Sequence, residues 1–459
     1  MIEILPHSSA IAAAPIRFVT PESWREVAES YGSQAGAFAQ ASGFAGAAGA
    51  VALLPSAEGG IAAVLFGDDA GAGRRDPFHA GKLASALPAG TYRLESGASE
   101  LAALALRLGS YRFDRYRKPS DKAVSVIVPE GVDAAAVTRI ADAVALGRDL
   151  INTPANDLGP AELEQAVRSL AARHRAAVRV VSGDDLLAEN FPMVHAVGRA
   201  SSRAPRLIDL TWGESFNPKV TLVGKGVCFD TGGLNIKPDA SMLLMKKDMG
   251  GAATALAAAQ MVMEARLPVR LRVIIPAVEN SISGSSFRPG DVLPSRKGLT
   301  VEIGNTDAEG RLILADALAL ADEDEPELLL DFATLTGAAR VALGPELPPF
   351  YTDDEGLAAE LAMAAEAVND PVWRLPLWKP YRTMLDSKIA DINHIGGSFA
   401  GSVTAALFLR GFVEKTTAYA HFDIYGWVPS AKPGRPEGGE PQAARLVYRV
   451  LQDRYGRRS

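Results

Sequence analysis

The apolar residues of this chain fall into short runs at residues 51–54, 61–66, 124–128, 178–181, 207–210, 220–223, 269–275 and 328–332. Runs of that length, bounded by Gly-rich, Pro-containing or polar segments, predict β-strands. Other stretches carry helical spacing: residues 100–108, the Ala-rich 250–264, and a third in which Val137, Ile140, Ala141, Val144 and Ile151 recur on one face behind Asp133, a suitable N-cap. That third helix stops in NTPAND, where Pro154 and Asn156 begin an irregular segment. Beyond it strand and helix patterns alternate, which predicts a mixed, mostly parallel sheet flanked by helices. The expected fold class is α/β with two domains: a smaller N-terminal α/β domain over residues 1–130, a connecting helix over 131–152, and a larger C-terminal domain over 153–459.

Composition narrows the partners. Hydrophobic residues make up 48% of the 459 and charged residues 22%, near the globular average. The net charge of -7 is spread over both signs without a long basic block, so no nucleic-acid surface is indicated, while acidic groups are available for cations. The single cysteine, Cys228, excludes an intrachain disulfide and suits a reducing compartment; between Val227 and Phe229 it reads as a buried thiol, not a nucleophile. The N-terminus lacks a signal-peptide pattern and no run is long and apolar enough for a membrane span, so the expected location is cytoplasmic. The glycines of GDDAGAGRRD, residues 67–76, read as a surface loop because no GxGxxG opens a helix there.

Chemistry concentrates where predicted strands end and helices begin, the edge at which open α/β sheets bind ligands. Lys225 stands between Gly224 and Gly226 after KVTLV, and Asp230 follows in VCFDTGG. Those glycines permit the bend that would bring the two together, whereas the P-loop pattern is missing. Lys237 lies in NIKPD, Asp248 in MKKDMGGAA, and Asp307, Glu309 and Arg311 in NTDAEGRL. An extended backbone would point Asp307 and Glu309 to one side, with Gly310 allowing a tight bend. Each has a plain structural reading as well: Asp307 and Asp248 as helix N-caps, Lys237 and Arg311 as solvated cations. Together, however, Asp230, Asp248, Asp307 and Glu309 would place four carboxylates along one edge. Like charges so close cannot all stay ionised without cations, and two divalent metals would neutralise them. The six histidines include no ligand-spaced pair, and oxygen ligands are compatible with Zn, Mn or Mg.

These segments resemble the leucyl, or cytosol, aminopeptidases, a family of two-metal exopeptidases. The resemblance runs through NTPAN, VGKGVCFDTGG, MKKDMGGAA, PAVENSISG, RPGD, NTDAEGRL and ATLTGA, across residues 148–426. It implies that Lys225, Asp230, Asp248, Asp307 and Glu309 hold two divalent ions, Mn or Zn, with Asp230 and Glu309 bridging. It further implies a metal-bound water as nucleophile, a metal holding the substrate's α-amine, Lys237 as oxyanion stabiliser, and Arg311 holding a bicarbonate that relays the proton. Lys225 as a ligand would be a neutral amine, which requires the metal charge to depress its pKa. Substrate contacts carry over to Met245, Asn305, Thr334, Leu335 and Gly337, with Met245 and Thr334 in an apolar side-chain pocket. The implied partners are peptides with a free N-terminus, and the implied assembly is a homohexamer.

The resemblance loosens toward the C-terminus. The family commonly has a small Ala-Gly pair after HxDI, whereas HFDIYG here puts Tyr425 at a position expected to line the pocket. SAKPGRPEGGEP and the RKG after RPGD also depart from the pattern, which affects residue preference more than the reaction. Two other functions fit a carboxylate-rich sheet edge: a two-metal phosphoesterase, or a non-catalytic assembly protein that uses the N-terminal domain.

Overall fold

The computed structural model describes residues 1–68, 76–95, 98–119 and 121–456, so most of the loop at 67–76 lies outside the described residues. The chain divides into two compact units, one of Met1–Ala145 with Ser430–Glu437, the other of Leu146–Pro429 with Gly438–Ser459. Among the described residues no helix is long and apolar enough to cross a membrane.

The first unit holds six strands, β1 (Glu3–Leu5), β2 (Ala14–Val19), β3 (Val51–Pro55), β4 (Ile61–Gly67), β5 (Gly90–Leu94) and β6 (Val124–Ile127), in the order β1-β6-β5-β2-β4-β3. Only the β3–β4 pair is antiparallel. The sheet is covered on both faces, which explains why its strands read as nearly continuous apolar runs. Along β4, Val64 and Phe66 join a core with Tyr92, Leu104 and Val126, while the alternate Ala63 and Leu65 join Trp24 and Leu54 in another.

The division between units falls inside α1 (Ala134–Asn152). Its start is fixed by Asp133, whose Oδ1 accepts the backbone N–H of Ala135 (2.9 Å) and Ala136 (3.1 Å), a cap worth about 1 kcal/mol.

The second unit is built on nine strands: β7 (Ala177–Ser182), β8 (Arg206–Trp212), β9 (Lys219–Gly224), β10 (Gly226–Asp230), β11 (Arg270–Asn280), β12 (Leu328–Ala333), β13 (Pro349–Tyr351), β14 (Trp373–Arg374) and β15 (Tyr419–Asp423). Their order is β14-β13-β15-β12-β9-β11-β8-β7, with β10 continuing alongside β11. The centre, β15-β12-β9-β11 with β10, is parallel throughout, and antiparallel pairs appear only toward the edges. Two helices pack on this sheet, α2 (Gly250–Glu264) and α3 (Glu309–Glu323), and fourteen residues of each are buried. Burial on all sides explains the low polarity of α2, whereas α3 keeps buried charges, Glu309, Arg311 and Asp316 among them. Because the central strands run the same way, the ends of β9, β10, β11, β12 and β15 share one edge.

Candidate metal centre

Each of those strand ends delivers a polar residue. β9 closes on Gly224, and the chain turns at Lys225 into β10, which ends in Asp230. Gly232 (φ 87°) and Gly233 (φ 62°) then carry the chain away through left-handed conformations that side chains rarely adopt. A 3₁₀ turn at Met245–Met249 brings Asp248 in ahead of α2, and another at Thr306–Ala308 brings Asp307 in ahead of α3, whose first residue is Glu309. Neither aspartate caps a helix. Asn305 is the capping residue of the second turn, its Oδ1 accepting the Asp307 N–H at 2.8 Å.

The side chains converge. Carboxylate oxygens of Asp230, Asp307 and Glu309 lie within 4.8 Å of one another. Lys225 Nζ is 2.7 Å from Asp248 Oδ2 and 3.0 Å from Glu309 Oε1; Lys237 Nζ is 2.7 Å from Asp230 Oδ2 and also contacts Asp307 Oδ1. Among the described residues, the buried Asp248 Oδ2, Asp307 Oδ1 and Glu309 Oε1 are thus met only by lysine ammonium groups. Thr334 Oγ1 donates to the other Asp248 oxygen at 2.7 Å, and Asn280 Nδ2 donates to Asp230 Oδ1 at 2.8 Å.

Burial and crowding set the electrostatics. Burial, with Asp230 as neighbour, pushes the Glu309 carboxyl up to about 8, and burial with Asp248 pushes Asp230 up to about 6. Burial opposes the charge of Lys225, but Asp248, Glu309 and Asp230 outweigh it and hold the amine above the usual lysine range. In the protein alone this direction is opposite to the one a ligating Lys225 requires. Lys237 is likewise held cationic by Asp230, Glu309 and Asp248 against its burial. Asp248 sits below the usual carboxylate range despite burial, chiefly through Lys225.

Arg311 is buried rather than solvated. Its Nη1 donates to the His394 carbonyl at 2.7 Å, its Nε has no hydrogen-bond partner, and burial lowers its pKa to about 10. The extended reading of Asp307 and Glu309 is corrected, since one sits in a 3₁₀ turn and the other opens a helix. Gly310 does not bend the chain either; it is helical, and a Cβ there would come within 2.7 Å of Lys225 Nζ, so its role is to admit the lysine.

A cavity of about 350 Å³ opens at the cluster. Lys225, Asp230, Lys237, Met245, Asp248, Asp307, Thr334, Leu335, Gly337 and Tyr425 line it, whereas Asn305, Glu309 and Arg311 do not. Residues not singled out from the sequence join them. Lys247 and Arg340 share the lining. Asp423, at the end of β15, accepts the N–H of Leu335 (3.1 Å) and Thr336 (3.0 Å) and so fixes the loop that follows β12. No histidine enters the cluster among the described residues. His394 uses both ring nitrogens on the loop before Asp307, and Cys228 is 1% exposed with its thiol raised by burial.

Carboxylates and lysines gathered at the carboxyl edge of a parallel sheet make an α/β protein with a candidate metal site where such sheets bind ligands. Models of the cytosol aminopeptidase catalytic domain and the M17 aminopeptidase N-terminal domain match residues 145–448 and 14–129, and the chain belongs to the cytosol aminopeptidase family. It is thus a metal-dependent aminopeptidase, a hydrolase. A probable cytosol aminopeptidase of Roseiflexus castenholzii is 42% identical over 364 residues, covering 75% of this chain and 74% of that one. The crystal structure of the cytosol aminopeptidase of Coxiella burnetii superposes with a TM-score of 0.92 at 46% identity, over 98% of this chain and 99% of that one. The bottromycin maturation enzyme BotP in complex with Mn aligns with a TM-score of 0.86 at 34% identity, over 96% of this chain and 98% of that one.

Proposed function

We propose that the chain removes the N-terminal residue from peptides with a free α-amine, using two divalent cations, Mn or Zn, held by Lys225, Asp230, Asp248, Asp307 and Glu309. The observation that carries this reading is the convergence of Asp230, Asp307 and Glu309, whose carboxylate oxygens lie within 4.8 Å of one another, with Asp248 joined to them through Lys225. Hard oxygen donors at that spacing fit such cations, and Asp230 and Glu309 are raised first by burial and then by neighbouring carboxylates, both of which cations would offset. Bound there, the two ions would polarise the scissile carbonyl, supply an ionised water at neutral pH and hold the substrate amine.

The chain's own groups do the rest. Lys237, kept cationic by its acidic neighbours, stabilises the charge that develops on the carbonyl oxygen. Arg311 offers a buried Nε without a partner, suited to a small planar anion; bicarbonate there would take the proton that no histidine of the site is placed to accept. Leu335, on the loop that Asp423 holds, and Gly337, at the start of the helix that follows, position the substrate backbone, and Met245, Thr334 and Tyr425 meet its side chain. Asn305 acts through the Asp307 turn.

A homohexamer in the cytoplasm is part of the same reading. Association through one face is what exposed apolar side chains in one segment support: Trp373, Trp378, Tyr381, Ile389 and Phe399, from 39% to 81% exposed. Leucinamide and its N-acetyl derivative test the reading with enzyme reloaded with Mn or Zn. Turnover of the first and not the second is expected, and equal turnover would contradict the free-amine requirement.

A further inference from the structure

Four cations line the cavity besides the acidic cluster, and they divide into two kinds. Lys225 and Lys237 each lie against two carboxylates. Lys247 and Arg340 have no carboxylate within ion-pair distance among the described residues. Both rest instead on one aromatic ring, the Lys247 Nζ 5.0 Å and the Arg340 Cζ 4.5 Å from the centroid of Tyr425. The neighbouring Lys246 differs again, since its Nζ donates to the Asn152 carbonyl at 2.6 Å.

The arrangement is held in place. Lys247 is 3% exposed, in the same 3₁₀ turn as Asp248. The backbone N–H groups of Tyr425 and Gly426 both donate to Gln442 Oε1, at 2.9 and 3.0 Å, which fixes the ring's base. Arg340 belongs to the short helix Gly337–Leu343 that follows the Leu335 loop. A guanidinium stays charged in any protein environment, and a ring face attracts cations. Two cations on one ring nevertheless repel each other, and the ring carries no net charge to offset them.

We propose that Lys247 and Arg340, gathered on the Tyr425 ring, make the side-chain pocket a receptor for a carboxylate, so that the enzyme prefers substrates beginning with Asp or Glu. This rests on the aminopeptidase reading above and names its substrate class. An aliphatic side chain entering the cavity would strip water from both cations and return nothing to them. A carboxylate returns charge-assisted hydrogen bonds, bidentate with the guanidinium. Tyr425 supplies the platform that orients both donors, a role a small residue could not fill.

The test compares kcat/KM for the p-nitroanilides of Glu, Asp, Leu and Met, none of which carries a C-terminal carboxylate, in the metal-loaded enzyme and in Arg340→Met and Lys247→Met. The wild type is expected to prefer Glu or Asp over Leu by roughly tenfold or more, and each variant to shift that ratio toward Leu by roughly tenfold to a hundredfold. Arg340 is exposed, so its variant carries the test if Lys247→Met does not fold. Cleavage of Leu and Met anilides in preference to the acidic ones overturns the inference alone, as does a ratio that Arg340→Met leaves unmoved. Cleavage of the free dipeptides glutamyl-leucine or leucyl-leucine but of none of the four anilides would assign the cations to the substrate's other end and also overturn it. Cleavage of neither the anilides nor the dipeptides overturns the aminopeptidase reading and this inference with it.

Discussion

Arg311 donates to the carbonyl of His394 at 2.7 Å, which ties the helix that opens with Glu309 to the segment that braces the Asp307 turn. His394 completes the brace with its ring: Nδ1 accepts the Gly304 N–H at 3.2 Å and Nε2 donates to the Asn305 carbonyl at 2.9 Å. Replacing His394 by Ala removes both ring bonds, to the exposed Gly304 N–H and the half-buried Asn305 carbonyl, at about 0.5–1.5 kcal/mol each, and empties a buried side-chain site. The expected outcome is a lower melting temperature together with a kcat on leucinamide reduced at least roughly tenfold, since a displaced Asp307 misaligns the site.

The same histidine predicts a pH dependence of stability. Burial, reinforced by Arg311, lowers its pKa to about 3, far below the value of an exposed histidine. Below about pH 6.5 the unfolded chain takes up a proton that the folded one refuses, so stability falls as the pH drops toward 3. The slope from this one group is at most about 1.4 kcal/mol per pH unit. Urea unfolding of the wild type and His394→Ala between pH 7 and pH 4 checks it: the wild type should lose more stability over that window than the variant.

Gly310 offers a sharper probe of packing at the centre. An alanine there would gain about 0.5–1 kcal/mol of helix propensity. Its methyl, however, would meet Lys225 Nζ at 2.7 Å beside Glu309, and overpacking typically costs about 1–3 kcal/mol. The steric cost wins, so Gly310→Ala should fold with reduced stability and bind metal weakly, read as metal content after dialysis. Full metal content and full turnover would sink this account of the glycine.

How far the sequence reached is visible in these residues. The alternation that predicts an α/β unit survives in the structure because β8, β9, β11 and β12 are largely buried strands of six or more residues, with β7, of six residues and mostly accessible, at the edge. β13 and β14, of three and two residues, are too short to carry a period and were not legible. The acids and lysines of the centre could be named because a strand end followed by glycine marks the ligand edge. Their geometry could not: two residues apart means one face only in an extended chain, and Asp307 and Glu309 are not extended. In MKKDM nothing local distinguishes Lys246, which bonds Asn152, from Lys247, which is buried against Tyr425. His394 and Asp423 act on backbone that only the folded chain brings near.

Asp423 should act through the loop it holds. Besides the two N–H groups it accepts from Thr336 Oγ1 (2.6 Å) and Ser402 Oγ (2.7 Å). Asp423→Asn keeps the shape but replaces one of the two acceptor oxygens by a donor, and is expected to lower kcat/KM on peptides by roughly tenfold to a hundredfold while metal content is retained. Loss of metal in parallel would instead place Asp423 in support of the ions.

The central claim is that Asp307 and Glu309 hold metal. Metal content per chain, measured by atomic emission on the Mn-loaded wild type, Asp307→Asn and Glu309→Gln alongside leucinamide turnover, tests it most directly. The wild type should retain two equivalents, and each variant should lose at least one equivalent and nearly all turnover. Either variant with two equivalents and near wild-type turnover would contradict the account.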